Sequence, residues 1–169
     1  NRMIDDMRER GVEHLFYFQV DNPLVIVPDP LFLGYHIERG ADVSAKVIPK
    51  RSPEEKLGVI ALAADRACIV EYSDLAQERM YARGADGRLL FEQGSIAIHI
   101  FNVEFLARAA AELPLHVARK KVKAMNPATG RIEEVDAVKF ERFIFDLLPI
   151  ADHVLFYETV REDEFSPVK

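Results

Sequence analysis

The residues from Leu15 to Val20 form an apolar run that ends abruptly at Asp21, Asn22 and Pro23. An aromatic and branched run that stops at turn residues predicts a strand buried on both faces, as in the middle of a parallel sheet. Asp21 would then stand at the carboxyl end of that strand, the side on which open α/β sheets bind their ligands. A carboxylate in this position suits a metal ion or a substrate hydroxyl, and the alternative is an ordinary helix cap or turn residue.

The next segments alternate between helix and strand signals. Asp29 and Pro30 suit the start of a short helix, and Gly40 suits its end. The apolar residues 43–48 predict a strand, and the order of strand, helix and strand predicts a βαβ unit with a right-handed crossover. Lys50 follows this strand, where its ammonium group would contact either a phosphate or solvent.

An antiparallel hairpin is expected between residues 58 and 72. Two apolar runs, 58–63 and 67–72, flank a short polar turn. The hairpin would deliver Glu71 and Tyr72 to its end. Such a pair can hold a sugar, because the acid accepts hydrogen bonds from hydroxyls and the ring covers an apolar face. The same pair is common in exposed strands, so both interpretations remain open.

Further along the chain, residues 94–101 predict a strand and Asn102 caps the helix that follows it. Residues 127–130 predict a turn between two short strands. Residues 154–160 predict the last strand, which leads into a dense charged segment. This succession again favours an α/β architecture with hairpins.

The apolar residues between Phe140 and Leu148 recur with helical spacing, and Pro149 is expected to end that helix. Phe143 and Phe145 would lie about 200° apart around such a helix. At most one of the two rings would therefore face the core, and the other would be free to contact a ligand.

The charge balance bears on possible partners. The 169 residues carry a formal net charge of −6, which argues against nucleic acids and anionic membranes, since both require a basic surface. No apolar stretch approaches the ~20 residues of a membrane helix. Cys68 is the one cysteine and cannot form an internal disulfide, which fits a reducing cytosol, so we expect a cytoplasmic protein.

Several common chemistries lack their sequence motifs. The five histidines are too scattered for a short metal-binding motif, and neither a GxSxG motif nor a glycine-rich phosphate loop is present. The remaining candidates are carboxylates and lysines at strand exits, namely Asp21, Lys50, Glu71 and Lys169. Such a set suits metal-assisted handling of phosphates and sugar hydroxyls.

Short motifs then occur in an order and at a spacing that are typical of one enzyme family. They are Val20-Asp21-Asn22, Asp29-Pro30, Lys46-Val47, Gly58-Val59, Val70-Glu71-Tyr72-Ser73-Asp74, Gly87-Arg88-Leu89-Leu90-Phe91, Phe143-Ile144-Phe145-Asp146 and Arg161-Glu162-Asp163-Glu164-Phe165-Ser166-Pro167-Val168-Lys169. In this ordered set the chain closely resembles, from first residue to last, the middle of the UDP-N-acetylglucosamine pyrophosphorylases, a family of uridylyltransferases.

The resemblance implies a nucleotidyltransferase fold, with a glycosyltransferase-A-like mixed α/β sheet flanked by helices. It also implies the reaction, in which a sugar 1-phosphate attacks the α-phosphorus of UTP in line and gives UDP-sugar and pyrophosphate with the help of Mg²⁺. Asp21 would be the metal ligand at the phosphates, and Lys169 would offset charge in the transition state. Glu71 would accept hydrogen bonds from sugar hydroxyls, with Gly58 and Tyr72 beside it.

The resemblance further implies that Phe143 and Phe145 wall the sugar pocket. One position departs from the family, which has an asparagine that contacts the amino sugar where this chain has Ser95. Serine is shorter and lacks the amide. A preference for N-acetylglucosamine 1-phosphate over glucose or galactose 1-phosphate is therefore left open, as is a broad-specificity UDP-sugar pyrophosphorylase.

The family's glycine-rich UTP loop would precede Asn1, and the family continues beyond Lys169. We therefore expect residues 1–169 to be the central part of a single catalytic domain and to be inactive alone. If these residues were the whole chain, the alternative would be a non-catalytic module that binds sugar phosphates or nucleotide sugars.

Overall fold

The computed structural model describes residues 2–168. Its helices are α1 (Arg2–Glu9), α2 (Pro30–Glu38), α3 (Gln77–Met80), α4 (Val103–Ala109) and α5 (Arg161–Glu164), with 3₁₀ helices at Ala110–Glu112 and Ile144–Ile150. Its strands are β1 (His14–Tyr17), β2 (Val43–Pro49), β3 (Val59–Ala63), β4 (Arg66–Val70), β5 (Gln93–Asn102), β6 (His116–Met125), β7 (Ile132–Glu141) and β8 (Val154–Glu158).

Six strands form one mixed sheet in the order β4, β3, β5, β2, β8, with β1 also paired to β5. The pairing of β2 with β8 is parallel, and the other pairings of this sheet are antiparallel. The expected fold class, a mixed sheet flanked by helices and accompanied by hairpins, is confirmed. β1 and β2 run in the same direction but lie on opposite sides of β5, so the strands of the expected βαβ unit are not neighbours.

The prediction of a doubly buried parallel strand from Leu15 to Val20 is wrong. β1 has four residues and pairs antiparallel with the far end of β5. Tyr17 is exposed and Val20 is 95% exposed, within a turn that also contains Asp21. The apolar run could not distinguish a strand in the core from a short strand that leads into an open loop, since both contain aromatic residues.

The signals for the ends of helices and for tight turns are confirmed. The side chain of Asp29 accepts hydrogen bonds from the amides of Leu31 and Phe32, at 2.9 and 3.2 Å, and so caps α2. Asn102 likewise accepts from the amide of Phe105 at the start of α4. Each depends on residues within one helical turn, which is why the sequence reveals it.

The hairpin of β3 and β4 is also confirmed. Its two turn residues, Ala64 and Asp65, both have positive φ angles, of 48° and 61°. Two central residues in the left-handed region match the twist of the strands that they join. The hairpin therefore forms at the place that the sequence indicated, and Glu71 follows directly after it.

The region between residues 116 and 150 differs from the prediction. β6 and β7 each have ten residues rather than being short strands, and they pair with each other as a two-stranded ribbon outside the main sheet. Phe140 belongs to β7, and Pro149 lies inside a 3₁₀ helix instead of ending an α-helix. Helical spacing could not reveal that β6 supplies partners that keep this segment extended as far as Glu141.

The two faces of the main sheet carry separate apolar clusters. On one face Phe101 of β5 packs with Phe105 of α4 and Leu147 of the long 3₁₀ helix. On the other face the neighbouring Ile100 packs with Phe32 of α2. β2 lies between them and is buried along nearly its whole length, so the middle of the sheet is a rigid base for the loops at its edges. Among residues 2–168, no helix has both the length and the apolar character needed to cross a membrane.

Two buried histidines make the stability of this fold depend on pH. His99 is 1% exposed, and burial lowers its pKa to about 4. His36 is fully buried, and burial, together with the nearby His14, lowers its pKa to about 4 as well. Both imidazoles are therefore neutral in the folded protein at pH 7.

We expect the free energy of unfolding to fall as the pH is lowered from about 6.5 toward 4. As the pH falls, the unfolded chain binds protons first, because its histidines keep the higher pKa. The free energy of unfolding is therefore unaffected by these histidines above about pH 6.5 and decreases below it. One pKa unit corresponds to about 1.4 kcal/mol, so His99 alone contributes up to roughly 3 kcal/mol. Urea denaturation at several pH values measures the slope.

His99→Leu should reduce this slope, because the variant no longer carries the group that titrates. His153→Gln is the matched control, since it replaces a histidine whose side chain is exposed. An equal slope in wild type and His99→Leu would show that His99 is not the responsible group.

Candidate functional site

A cleft of about 420 Å³ opens where the loop after β1, the β3–β4 hairpin, β5 and the segment after β7 meet. It gathers seven of the nine residues that the sequence singled out. They are Asp21, Gly58, Glu71, Tyr72, Ser95, Phe143 and Phe145. These residues come from four separate parts of the chain, and the fold brings them to one concave surface of the kind that binds small molecules.

Lys50, an eighth predicted residue, is not among the described residues that line the cleft. The ammonium group of Lys50 instead donates a hydrogen bond to the carbonyl oxygen of Pro53, at 2.7 Å. This bond holds the loop that follows β2. Lys169 lies outside the described residues, so its expected contact with phosphates stays a prediction.

Asp21 is held at the rim of the cleft by backbone bonds to the C-terminal segment. Its carbonyl oxygen accepts a hydrogen bond from the amide of Val168, at 2.8 Å. The neighbouring Asn22 is buried, donates to the carbonyl of Glu164 at 2.7 Å, and accepts from the amide of Ser166 at 3.1 Å. These bonds hold the backbone of the turn in place, while the carboxylate of Asp21 is exposed.

Glu71 and Gly58 lie next to each other in the cleft wall. A Cβ atom at position 58 would lie 2.8 Å from Cγ2 of Ile69 and 3.5 Å from a carboxylate oxygen of Glu71. The close approach explains why glycine occupies this position. Burial, with the charges of Asp74 and Asp146, raises the pKa of Glu71. A half-buried carboxyl group of this kind is well suited to exchange hydrogen bonds with ligand hydroxyls.

The strand β5 carries a bulge at the floor of the cleft. Ala97 has a φ of +56°, and the register between β5 and β2 shifts at this point. Ser95 supports the bulge, since its hydroxyl oxygen accepts a hydrogen bond from the amide of Ala97 at 3.3 Å. A left-handed residue that is not glycine is strained, and such strain is typical of functional sites.

Phe143 and Phe145 form an aromatic wall on one side of the cleft. Their rings are stacked, with centroids 5.0 Å apart and planes inclined by 9°. The predicted separation of about 200° is wrong, because Phe143 has an extended backbone that immediately precedes the 3₁₀ helix. Both rings therefore face the same cavity.

Sequence analysis missed other residues that line the cleft, among them Tyr17, Gln19, Lys56, His99 and Arg142. Tyr17 and Gln19 belong to the same run as Asp21, so their position was the available signal. Nδ1 of His99 is buried and has no hydrogen-bond partner among residues 2–168. Nothing local in the sequence marks His99 or Arg142, because these residues reach the cleft only when distant segments of the chain pack together.

A buried ion-pair network connects the main sheet to a segment that borders the cleft. The sequence did not indicate this network either. The side chain of Lys46 is fully buried and forms ion pairs with Asp29 and Glu164. Thr159 donates a hydrogen bond to the other carboxylate oxygen of Glu164, at 2.6 Å. The network joins β2 to α2 and to the C-terminal segment that carries Phe165 into the cleft.

The donor set fits a magnesium ion only in part. Residues 2–168 contain no group of three or more His, Cys, Asp or Glu side chains placed to hold a metal ion. Asp21 supplies one exposed carboxylate. Mg²⁺ is commonly held by one or two carboxylates together with substrate phosphates and water, so a single aspartate is compatible with a metal that arrives with its nucleotide.

Comparison with known proteins gives consistent results. The family model described as UTP--glucose-1-phosphate uridylyltransferase matches residues 1–169. The UDP-N-acetylhexosamine pyrophosphorylase-like protein 1 of Mus musculus is 38% identical over 100% of this chain and 34% of its own length. The UDP-N-acetylglucosamine pyrophosphorylase of Saccharomyces cerevisiae is 34% identical over 100% of this chain and 37% of its own.

Solved structures give the same picture. The uridine diphosphate N-acetylglucosamine pyrophosphorylase of Trypanosoma brucei, in complex with an inhibitor, superimposes with a TM-score of 0.87 at 31% identity, over 99% of this chain and 33% of that one. The putative UDP-N-acetylglucosamine pyrophosphorylase of Entamoeba histolytica gives a TM-score of 0.86 at 32% identity, over 99% of this chain and 42% of that one. The chain spans about a third of the length of the curated relatives that it matches.

Proposed function

Because this chain belongs to the UTP–glucose-1-phosphate uridylyltransferase family, we propose that it forms the sugar-binding part of an enzyme that makes UDP-sugars. A phosphate oxygen of the sugar 1-phosphate attacks the α-phosphorus of UTP. The bond from that phosphorus to the bridging oxygen breaks, and pyrophosphate leaves with the electron pair. The observation that carries the proposal is the single cleft that gathers Asp21, Glu71, Ser95 and the two stacked rings.

The residues of the cleft divide between the two ends of the substrate. Glu71 accepts hydrogen bonds from sugar hydroxyls, with Gly58 leaving room beside it. The stacked rings of Phe143 and Phe145 cover an apolar part of the sugar, and the exposed Tyr72 also lines the cleft. Since a bound sugar cannot turn freely between these groups, its phosphate is held in line for attack.

Asp21 is the residue that we place at the phosphates. Its carboxylate would hold Mg²⁺, which when bound would offset negative charge on the phosphate oxygens. The role of Lys169 at the same phosphates remains a prediction from the family resemblance. No covalent intermediate is needed, because phosphoryl transfer depends mainly on position and on charge neutralisation.

We propose that these residues act as part of a longer catalytic domain and are inactive alone, because the chain spans about a third of its relatives. The proposed sugar is N-acetylglucosamine 1-phosphate, which the names of the relatives favour. The short Ser95 side chain keeps a broader range of hexose 1-phosphates as the second candidate. A reducing cytosol suits the free thiol of Cys68 and is the proposed compartment.

Pyrophosphate release by the full-length protein is the test of this proposal. With UTP and Mg²⁺ we expect turnover of N-acetylglucosamine 1-phosphate, glucose 1-phosphate or galactose 1-phosphate. Ser95→Asn should raise the preference for the N-acetyl sugar by about 2- to 10-fold, the worth of one added hydrogen bond. Steady-state kcat/KM for each sugar measures it.

The matched control is Ser73→Asn, since Ser73 is exposed and does not line the cleft. If the full-length protein released pyrophosphate with none of these sugar 1-phosphates, the proposed activity would be contradicted. An unchanged sugar preference in Ser95→Asn would instead remove only the role of Ser95.

A further inference from the structure

The aromatic wall of the cleft is in contact with a histidine at the base of the β6–β7 ribbon. His116 is the first residue of β6, and its ring centroid lies 4.7 Å from that of Phe143. Phe143 in turn stacks on Phe145 at 5.0 Å. The three rings form a continuous row that runs from the half-exposed base of the ribbon into the cleft.

The orientation of His116 is set by a second contact. Its Nε2 atom lies 2.6 Å from a carboxylate oxygen of Asp146, whose side chain is 20% exposed. Asp146 directly follows Phe145 in the 3₁₀ helix. His116 therefore touches both ends of the same short segment, with its ring face against Phe143 and its nitrogen against Asp146.

Phe143 stands at the start of this segment, where its backbone is extended. Phe143 precedes the 3₁₀ helix, where its side chain forms no capping hydrogen bond. β6 and β7 form a sheet of their own, so they add no backbone pairing to the main sheet at this point. The ring of Phe143 contacts the rings of His116 and Phe145.

We propose that His116 is a positioning residue, which holds the Phe143 and Phe145 rings against the sugar through its contact with Phe143 and its hydrogen bond to Asp146. The inference rests on the proposed function of the cleft and deepens it. The ligand part concerned is the apolar face or substituent of a hexose, because the rings offer it no hydrogen bond. His116 itself does not line the cleft and touches no reacting atom.

The kinetic test uses two variants of the full-length protein. His116→Phe keeps a ring but loses the hydrogen bond, and His116→Gln keeps a donor but loses the ring. Each should raise KM for the sugar 1-phosphate by about 3- to 10-fold, while kcat and KM for UTP change less than about 2-fold, since a loosened wall costs roughly one hydrogen bond of binding. The control is His153→Gln, at an exposed histidine outside the cleft.

Asp146 variants supply a second reading of the same contact. Asp146→Asn retains an oxygen that accepts from Nε2–H and should raise KM for the sugar 1-phosphate less than Asp146→Leu does, while both variants remove the charge that raises the pKa of Glu71. Asp146→Leu should match the His116 variants. Equal KM values for wild type, His116→Phe, His116→Gln and Asp146→Leu would overturn the inference, as would a loss that falls equally on UTP.

A spectroscopic readout separates this inference from the proposed function. With 4-fluorophenylalanine at position 143 of the full-length protein, His116→Phe and His116→Gln should shift or broaden the ¹⁹F resonance, whereas His153→Gln should not. If wild type released no pyrophosphate, the proposed function would fail while this measurement still decided the role of His116. An identical resonance in wild type and both variants would overturn the inference whatever the activity.

Discussion

Asp21→Asn is expected to lower kcat of the full-length protein by about 10²- to 10³-fold, the usual cost of removing one preorganised charge-stabilising group. Asparagine keeps the shape of the side chain but removes the charge, and Mg²⁺ prefers carboxylate oxygens to neutral amides. The turn itself should survive. It is held by the carbonyl of Asp21 and by the side chain of Asn22, which the substitution leaves in place.

Two measurements decide this prediction. Steady-state pyrophosphate release gives kcat, and its dependence on Mg²⁺ concentration should move to higher concentrations in Asp21→Asn. Urea denaturation should show nearly the same free energy of unfolding as wild type. Asp65→Asn is the matched control, because Asp65 is also an exposed aspartate in a turn but lies at the tip of the β3–β4 hairpin. Full activity in Asp21→Asn would exclude Asp21 as a metal ligand.

Lys46→Met should be the most destabilising single substitution considered for this chain, by about 3–5 kcal/mol. Lys46 is fully buried between the carboxylates of Asp29 and Glu164. Burial by itself would raise the pKa of Asp29, but its hydrogen bonds from Lys46 and from the amides of Phe32 and Leu31 lower it overall. Without the ammonium group, the two buried carboxyl groups would lie next to each other with no cation to pair with.

A double variant tests that explanation directly. Adding Glu164→Gln to Lys46→Met removes one of the two stranded charges and should recover part of the lost stability. Lys120→Met is the control, because Lys120 is exposed on the ribbon and its substitution should change the free energy of unfolding by less than about 0.5 kcal/mol. Urea denaturation followed by circular dichroism gives all four values. A loss in Lys46→Met no larger than in Lys120→Met would contradict a stabilising role for the network.

The Lys46 network also connects stability with the proposed site. Glu164 belongs to the segment whose carbonyl binds Asn22, and Asn22 adjoins Asp21. A loosened network should therefore reduce the order of the turn that presents the Asp21 carboxylate. This is a reason to measure the activity of Lys46→Met only where the variant is shown to be folded.

The parts of the fold that were predictable depend on neighbours in the sequence. Asp29 and Asn102 cap helices whose first amides lie two or three residues away. The β3–β4 hairpin forms around adjacent turn residues, Ala64 and Asp65. Such features are decided by local backbone geometry and by hydrogen bonds that close within a single turn.

The wrong predictions concern segments whose partners are distant. Ten residues of β6 keep the chain extended through Phe140, which helical spacing had assigned to a helix. β1 is short because it meets only the far end of β5. Apolar periodicity reports which side chains avoid water, but not which other segment covers them.

The amino-acid sequence alone indicates which chemical groups are available at the site and in what order they occur: a carboxylate after the first strand, Glu71 and Tyr72 after a hairpin, and two phenylalanines near the end. The three-dimensional arrangement of distant segments was needed to show that these groups share one cleft, that Lys50 turns away to bind Pro53, and that the ring of His116 contacts Phe143. The physical reason is that local propensities act over a few residues, whereas convergence in space depends on strand pairing and burial between segments that are far apart in the chain.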